Sequence, residues 1–344
     1  MVFQRFLVFA LLGGLLLVAC EKNPGVDPAT QQPSKVSPSA AKQDIWRGSP
    51  YEPTSVAMEL VKIGEHSYYA QGTPGSATEH EGFISNAGVV ITDDGVVVFD
   101  ALGTPSLGYL LLSRIRELTD KPVRRVIASH YHADHIYGLQ VFKDQGAQIW
   151  APRGAELYLR SDAAKNRLNE RKESLFPWVD EHTRIVEPDK YIAEKQQFSL
   201  GGVDFSITPL GSTHSQGDLM LLVDSDNVLF SGDLIFQGRL PFVEGNTGVW
   251  IQQLQHLDSR RIKVIVPGHG RAYNDPAQAV SFTLDYLQYV TQEMQAAVDE
   301  LTPFDEVYNS TDWSRYKAMP AFIANRPNAY HIYLDLEQKS LQQN

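Results

Sequence analysis

The chain has 344 residues, a formal net charge of -11, 43% hydrophobic residues and one cysteine. That length supports one large domain or two small ones around a substantial core, and fifteen Tyr, fifteen Phe and five Trp exclude an intrinsically disordered chain. A single cysteine forms no intramolecular disulfide and no thiolate zinc cluster. The balance of 30 Lys plus Arg against 41 Asp plus Glu argues against a broad phosphate-gripping surface, so nucleic acid is not an expected partner.

Met1 to Ala19 carries one charge, Arg5, followed by uncharged and mostly apolar residues from Phe6 to Ala19. The run is short for a membrane span, which needs about 20 apolar residues, and suits a secretory signal. Its end, Leu17-Val18-Ala19-Cys20, resembles the bacterial lipobox, in which the cysteine becomes the lipidated first residue of the mature protein. Glu21, where Asp would favour retention in the inner membrane, leans toward the outer membrane facing the periplasm. Residues 21–53 include Pro24, Pro28, Pro33, Pro38, Pro50 and Pro53 and have no hydrophobic periodicity, which reads as a solvated tether. The expected organisation is therefore a lipoprotein signal over 1–19, a tether over 20–54 and a folded domain over 55–344, anchored by Cys20 in a bacterial cell envelope.

In chain order, 60–69 and 88–92 read as strands, and Asp93-Asp94-Gly95 turns the second into 96–100 as a hairpin. Residues 107–118 have helical spacing, 123–128 form a buried-strand run, and 135–144 return to helical spacing. Residues 152–173 suggest one or two exposed helices, and Phe176-Pro177-Trp178 a loop with apolar anchors. Strands follow at 197–209 around Gly201-Gly202, at 219–223 and at 228–231. A helix at 248–259, a strand at 264–266 and helices near 276–301 and 328–340 complete the chain. Two strand-rich halves with interspersed helices predict an α/β (α+β) domain, with two sheets face to face and helices outside.

At the end of strand 123–128 stands Ser129-His130-Tyr131-His132-Ala133-Asp134-His135. Two residues apart in extended chain, His130 and His132 point the same way, and Asp134 and His135 wrap around from the first helical turn. Imidazole and carboxylate are ordinary zinc ligands, so this cluster can hold metal without cysteine. His214 in Thr213-His214-Ser215, Asp233 in Ser231-Gly232-Asp233 and His269 in Pro267-Gly268-His269-Gly270 each lie past or at a strand end beside small residues. Such sites let backbone and ligand approach closely. His66, His80, His182, His256 and His331 have no companion ligands in the sequence and read as surface or core residues.

The series HxHxDH, His, Asp, His resembles the metallo-β-lactamase-fold hydrolase superfamily over about residues 55 to 275. The resemblance implies an αββα sandwich with two Zn2+ ions at one edge. By motif, His130, His132 and His214 would bind one zinc, Asp134, His135 and His269 the second, and Asp233 both. β-Lactamases of the commonest subclasses place Cys where this chain has Asp233, and the residues that mark glyoxalase II around the last His are absent from Pro267-Gly268-His269-Gly270-Arg271-Ala272. The segment from Arg326 to Glu337 is similar to periplasmic zinc hydrolases associated with sulfur-oxidation and quinoprotein systems.

The implied function is a zinc-dependent hydrolase that uses a metal-bridging hydroxide, oriented by catalytic Asp134, to cleave an ester, thioester, lactone or amide of a small-molecule substrate. Asp100 is a candidate partner for a ligating His, with a turn or capping carboxylate as the alternative. Arg239 is a candidate for binding a substrate carboxylate, with an ordinary surface Arg as the alternative. The rival readings are an iron-dependent persulfide dioxygenase-like oxidoreductase, a β-lactamase, and a lipoprotein that keeps the fold for partner binding alone.

Overall fold

The computed structural model describes residues 45–343. The expected signal and most of the tether, Cys20 included, lie outside the described residues. Sheet 1 holds β1 (Leu60–Lys62), β2 (Ser67–Ala70), β3 (Ala87–Thr92), β4 (Gly95–Phe99), β5 (Val123–Ile127), β6 (Gln148–Pro152) and β7 (Lys190–Ile192), hydrogen-bonded in that order. Sheet 2 holds β8 (Gln196–Leu200), β9 (Val203–Gly211), β10 (Asp218–Val223), β11 (Val228–Phe236) and β12 (Val264–His269), with β12 and β8 at its edges. The first half also carries α1 (Pro105–Leu118), α2 (Ala133–Ile136), α3 (Leu139–Asp144), α4 (Ala155–Leu159) and α5 (Asp162–Ser174). The second carries α6 (Thr247–Gln255), α7 (Pro276–Asp299), α8 (Phe304–Ser310) and α9 (Asn325–Gln343).

Alternation along the strands makes the layers. Val97 and Phe99 of β4 enter a core shared by the sheets with Ile127, Phe205, Leu219, Leu221 and Phe230, whereas Val96 and Val98 enter the core that Leu107, Leu111 and Phe142 complete. The Phe99 and Phe230 rings stack across the interface with centroids 5.8 Å apart. Behind sheet 2, Leu229 packs with Trp250, Tyr286 and Leu287 of α6 and α7. The result is the expected αββα sandwich. β4, β5 and β6 run parallel, as do β11 and β12. The C-terminal ends of β5, β11 and β12, which carry the motif residues, therefore converge on one edge.

Several elements depart from the sequence reading. The expected strand 60–69 is a hairpin of β1 and β2, because the Asp226 carboxylate accepts the N–H groups of Glu65 and His66 and fixes a turn there. The helix expected over 135–144 breaks between α2 and α3 at Gly138, where a Cβ would lie 1.9 Å from the Ala101 carbonyl oxygen. β11 runs past Ser231 to Phe236, so Asp233 sits inside the strand, in a stretch where its pairing with β12 shifts register. The short strands β6 and β7 and helix α8 have no counterpart in the reading. Phe176 is not an apolar anchor but is exposed, whereas the Trp178 indole donates to the Pro53 carbonyl.

The domain boundary also moves. Trp46 and Tyr51 pack on the Tyr109 ring of α1, and the Tyr109 hydroxyl donates to the Ile45 carbonyl. Thr54 and Ser55 donate to the Glu81 carboxylate. Residues 45–54 are thus a strap held on the domain by aromatic contacts and side-chain hydrogen bonds, which leave no periodic signature.

Candidate metal centre

The seven motif residues meet in two groups. His130, His132, His214 and Asp233 place one ligand atom each within 4.8 Å of one another, and Asp134, His135 and His269 do the same. Asp233 lies against both groups. Its Oδ2 is 3.3 Å from His214 Nε2 and 3.4 Å from His269 Nε2, and its Oδ1 is 3.3 Å from His135 Nε2. Asp134 Oδ2 is 3.3 Å from His269 Nε2 and 3.6 Å from His135 Nε2. The close approach depends on Gly268, where a Cβ would lie 1.8 Å from Asp233 Oδ1, and on Gly232, whose φ of +52° few other residues adopt.

The outward nitrogen of each imidazole is held, and its partner fixes the tautomer. His214 Nδ1 donates to the Phe242 carbonyl at 2.7 Å and His269 Nδ1 to the Ile84 carbonyl at 2.7 Å, since a carbonyl can only accept. His135 Nδ1 donates to Asp100 Oδ2 at 2.9 Å. Ser129 Oγ donates to the same Asp100 oxygen at 2.8 Å and so accepts from His130 Nδ1 at 2.9 Å. Asp100 is therefore a partner of two of the cluster histidines, one of them through Ser129. His132 is turned the other way: its Nε2 donates to Glu244 Oε2 at 3.0 Å, and its Nδ1 faces the cluster.

In the neutral form that each of these outer bonds permits, the inward nitrogen carries a lone pair. His132 Nδ1 and His214 Nε2 stand 2.8 Å apart, two acceptors that need a proton or a cation between them. Buried His130 Nε2, His135 Nε2 and Asp233 Oδ1 have no hydrogen-bond partner. Unsatisfied buried acceptors converging on common points fit a metal site, and the donor set of five imidazoles and two carboxylates suits zinc.

Burial opposes protonation of His135, but Asp233, Asp100 and Asp134 outweigh it and hold its imidazole well above the usual range. Burial opposes ionisation of Asp233, but His269 and His135 outweigh it and hold the carboxyl well below the usual range. Burial likewise opposes ionisation of Asp134, and His135 and His269 bring it well below that range. Burial and the neighbouring His135 and His132 push His130 well down, so its imidazole stays neutral as ligation requires. Burial raises the Glu244 carboxyl, but the bond to His132 and its charge dominate and bring it to about 2.

Three residues behind the ligands complete the site. Asp218 accepts from the backbone N–H and hydroxyl of both Thr213 and Ser215, clamping the chain on either side of His214. Asn86 donates to the carbonyls of Pro267 and Gly270 on either side of His269. The Ser85 hydroxyl donates to the Asp134 carbonyl. Tyr131 and Trp250 pack behind ligands, Tyr131 stacked on Tyr158 and Trp250 edge-on to His214 at 5.4 Å. Arg239, read in the sequence as a candidate substrate contact or a surface residue, is buried, and burial lowers its guanidinium against the opposing charges of Asp134 and Asp233. Glu244, Ser129, Asp218 and Asn86 escaped the sequence reading. Glu244 meets a partner 112 positions away, and no local pattern marks it.

Comparison with known proteins agrees with this geometry. The family model of the metallo-β-lactamase superfamily matches residues 80–269. A metallo-β-lactamase of Chryseobacterium indologenes is 24% identical over 215 residues, covering 61% of this chain and 80% of the relative. An acyl-coenzyme A thioesterase of Gallus gallus is 28% identical over 158 residues, covering 42% of this chain and 55% of the relative. The sec-alkylsulfatase Pisa1 of a Pseudomonas species superposes with a TM-score of 0.63 at 14% identity, over 81% of this chain and 50% of that one, a likeness of fold alone. The chain belongs to the metallo-β-lactamase superfamily.

Proposed function

We propose that the protein is a hydrolase with two zinc ions that cleaves an ester, thioester, lactone or amide carbonyl of a small molecule. The observation that carries this reading is Asp233, set between two groups of buried, inward-facing imidazole nitrogens and carboxylate oxygens. His130, His132 and His214 would hold one ion, Asp134, His135 and His269 the other, and Asp233 both. Bound there, the ions would supply Lewis-acid polarisation of a carbonyl and lower the pKa of a water toward neutrality.

The chain's own residues account for the remaining work. Asp134 is a cluster carboxylate that keeps side-chain exposure, at 22%, so it can hold the attacking water and accept its proton. The water oxygen bonds to the carbonyl carbon, the C–O, C–S or C–N bond breaks, and the proton passes from Asp134 to the leaving group. Asp100, Glu244 and the carbonyls of Phe242 and Ile84 keep the five imidazoles oriented throughout.

A β-lactamase is the second reading, supported by the likeness to the Chryseobacterium indologenes protein. Asp233 in place of cysteine weighs against it. Metal-loaded protein assayed on esters, thioesters, lactones and a chromogenic cephalosporin separates the two. Turnover of the first three substrate classes with little of the cephalosporin is expected, and efficient turnover of the cephalosporin alone would assign the site to the second reading. In the cell, Cys20 would carry lipid and anchor the domain in the envelope, in keeping with the sulfur-oxidation and quinoprotein hydrolases that residues 326–337 resemble. Cys20→Ala should release the protein from the membrane fraction.

A further inference from the structure

Between β11 and α6 the chain passes beside the metal cluster outside both sheets. Pro241, Val243 and Gly245 are buried there, while Phe242 and Glu244 are exposed. That period of two marks extended chain with two opposite faces. The exposed pair serves the cluster: the Phe242 carbonyl holds His214 Nδ1, and the Glu244 carboxylate holds His132 Nε2. Glu244 N–H and Gly245 N–H also donate to the His214 carbonyl, at 3.1 and 3.0 Å.

Extended chain outside a sheet has no ladder to hold it, and α9 fills that place. The Asn328 amide accepts from Val243 N–H at 3.0 Å and donates to the Pro241 carbonyl at 2.7 Å, the groups a neighbouring strand would otherwise pair. Its other N–H donates to the Tyr286 hydroxyl at 3.0 Å, which donates in turn to Asn325 Oδ1 at 3.0 Å. Asn328 is 1% exposed, so water does not compete for these bonds. Almost one turn on, His331 Nε2 donates to the Gly245 carbonyl at 3.0 Å, since a carbonyl can only accept. Leu240 N–H donates to the Pro320 carbonyl, and Leu240 and Val243 share a core with Ala329 and Ile332 of α9. The segment that orients two imidazoles is thus itself held from behind by α9.

We propose that Asn328 and His331 are positioning residues for the His132 and His214 half of the metal centre, acting through segment 241–245. Losing either frees the Phe242 carbonyl and the Glu244 carboxylate to move, and with them the outer anchors of both imidazoles. His135 and His269, anchored on Asp100 and the Ile84 carbonyl, keep their geometry. This role rests on the two-zinc reading and adds the C-terminal helix to the unit that binds metal.

The test uses chelator competition on the zinc-loaded protein and hydrogen exchange on the metal-free protein, in wild type, Asn328→Leu, His331→Ala and His331→Gln. Asn328→Leu, similar in shape and unable to bond, should weaken one ion by about 10-fold and leave the other within about 2-fold. His331→Ala should weaken the same ion by about 5-fold, the usual worth of one hydrogen bond, and His331→Gln, whose amide can still donate to Gly245, should recover part of the loss. Asn328→Leu combined with Glu244→Gln should weaken that ion by less than the product of the single effects, because both act through one anchor. Without metal, exchange at Val243 N–H should quicken by about 10-fold in Asn328→Leu while β5 keeps its wild-type rate. Equal weakening of both ions, or loop exchange that quickens with neither ion weakened, would overturn the proposal. A wild type that holds one ion would defeat the two-zinc reading, and Val243 exchange then judges the clamp by itself: quickened in Asn328→Leu it stands, unchanged it fails. If Asn328→Leu does not fold, the half-buried His331 decides: loss in His331→Ala with recovery in His331→Gln supports the role, and no loss overturns it.

Discussion

The two halves of the cluster are oriented by different means. In the half made by Asp134, His135 and His269, both imidazoles are fully buried, and their outer nitrogens are tied to Asp100 and to the Ile84 carbonyl. In the half made by His130, His132 and His214, one imidazole keeps 19% side-chain exposure and is tied to Glu244, which is 48% exposed. A buried carboxylate or carbonyl holds its partner without competition from water, whereas a partly exposed ion pair is screened and mobile. The His132 side is therefore the half whose metal should be lost first. Asp233 and Asp100 cross this division, because Asp233 lies against both groups and Asp100 reaches His135 directly and His130 through Ser129.

The largest expected effect removes the division altogether. Asp233→Ala should lower bound zinc from two ions toward one or none and reduce turnover by on the order of 100-fold or more, beyond the usual cost of losing an outer partner. Metal analysis with steady-state kinetics checks it, and retention of two ions would contradict the shared role. Next comes Asp100→Ala, which removes the acceptor of two links and should weaken both ions by about 10- to 100-fold in a chelator competition. Glu244→Gln should weaken only one ion, by about 10-fold, and split the chelator titration into two steps. Equal weakening of both ions by that substitution would erase the contrast between the halves. Smallest is Glu81→Ala, which releases the strap at Thr54 and Ser55. It should cost about 1 kcal/mol of stability in a denaturant titration, since these hydrogen bonds are largely exposed, and leave metal content unchanged.

What could be read from the sequence follows the same division between local and distant partners. The seven cluster residues were legible because HxHxDH follows a buried strand, and His214, Asp233 and His269 stand beside glycine or small polar residues near other strands. Strand periodicity gave most of both sheets. The partners that fix the imidazoles were not legible, apart from Asp100. Ser129 lies inside the motif, but the Asp100 carboxylate that aims its hydroxyl is 29 positions away, and Glu244 is 112 positions from His132. The strap over 45–54 reads as tether because its hold depends on Tyr109 and Glu81, neither of which leaves a pattern in the segment itself. β7, with three residues, offers too short a run for periodicity to show. The burial of Arg239, with Nε and Nη1 lacking hydrogen-bond partners, is visible only in three dimensions.

The central claim is a site for two ions joined by one carboxylate. Elemental analysis of purified protein, before and after dialysis against a weak chelator, tests it most directly. The account predicts two zinc ions per chain, with one lost before the other. A preparation holding a single tightly bound iron and no zinc would contradict it.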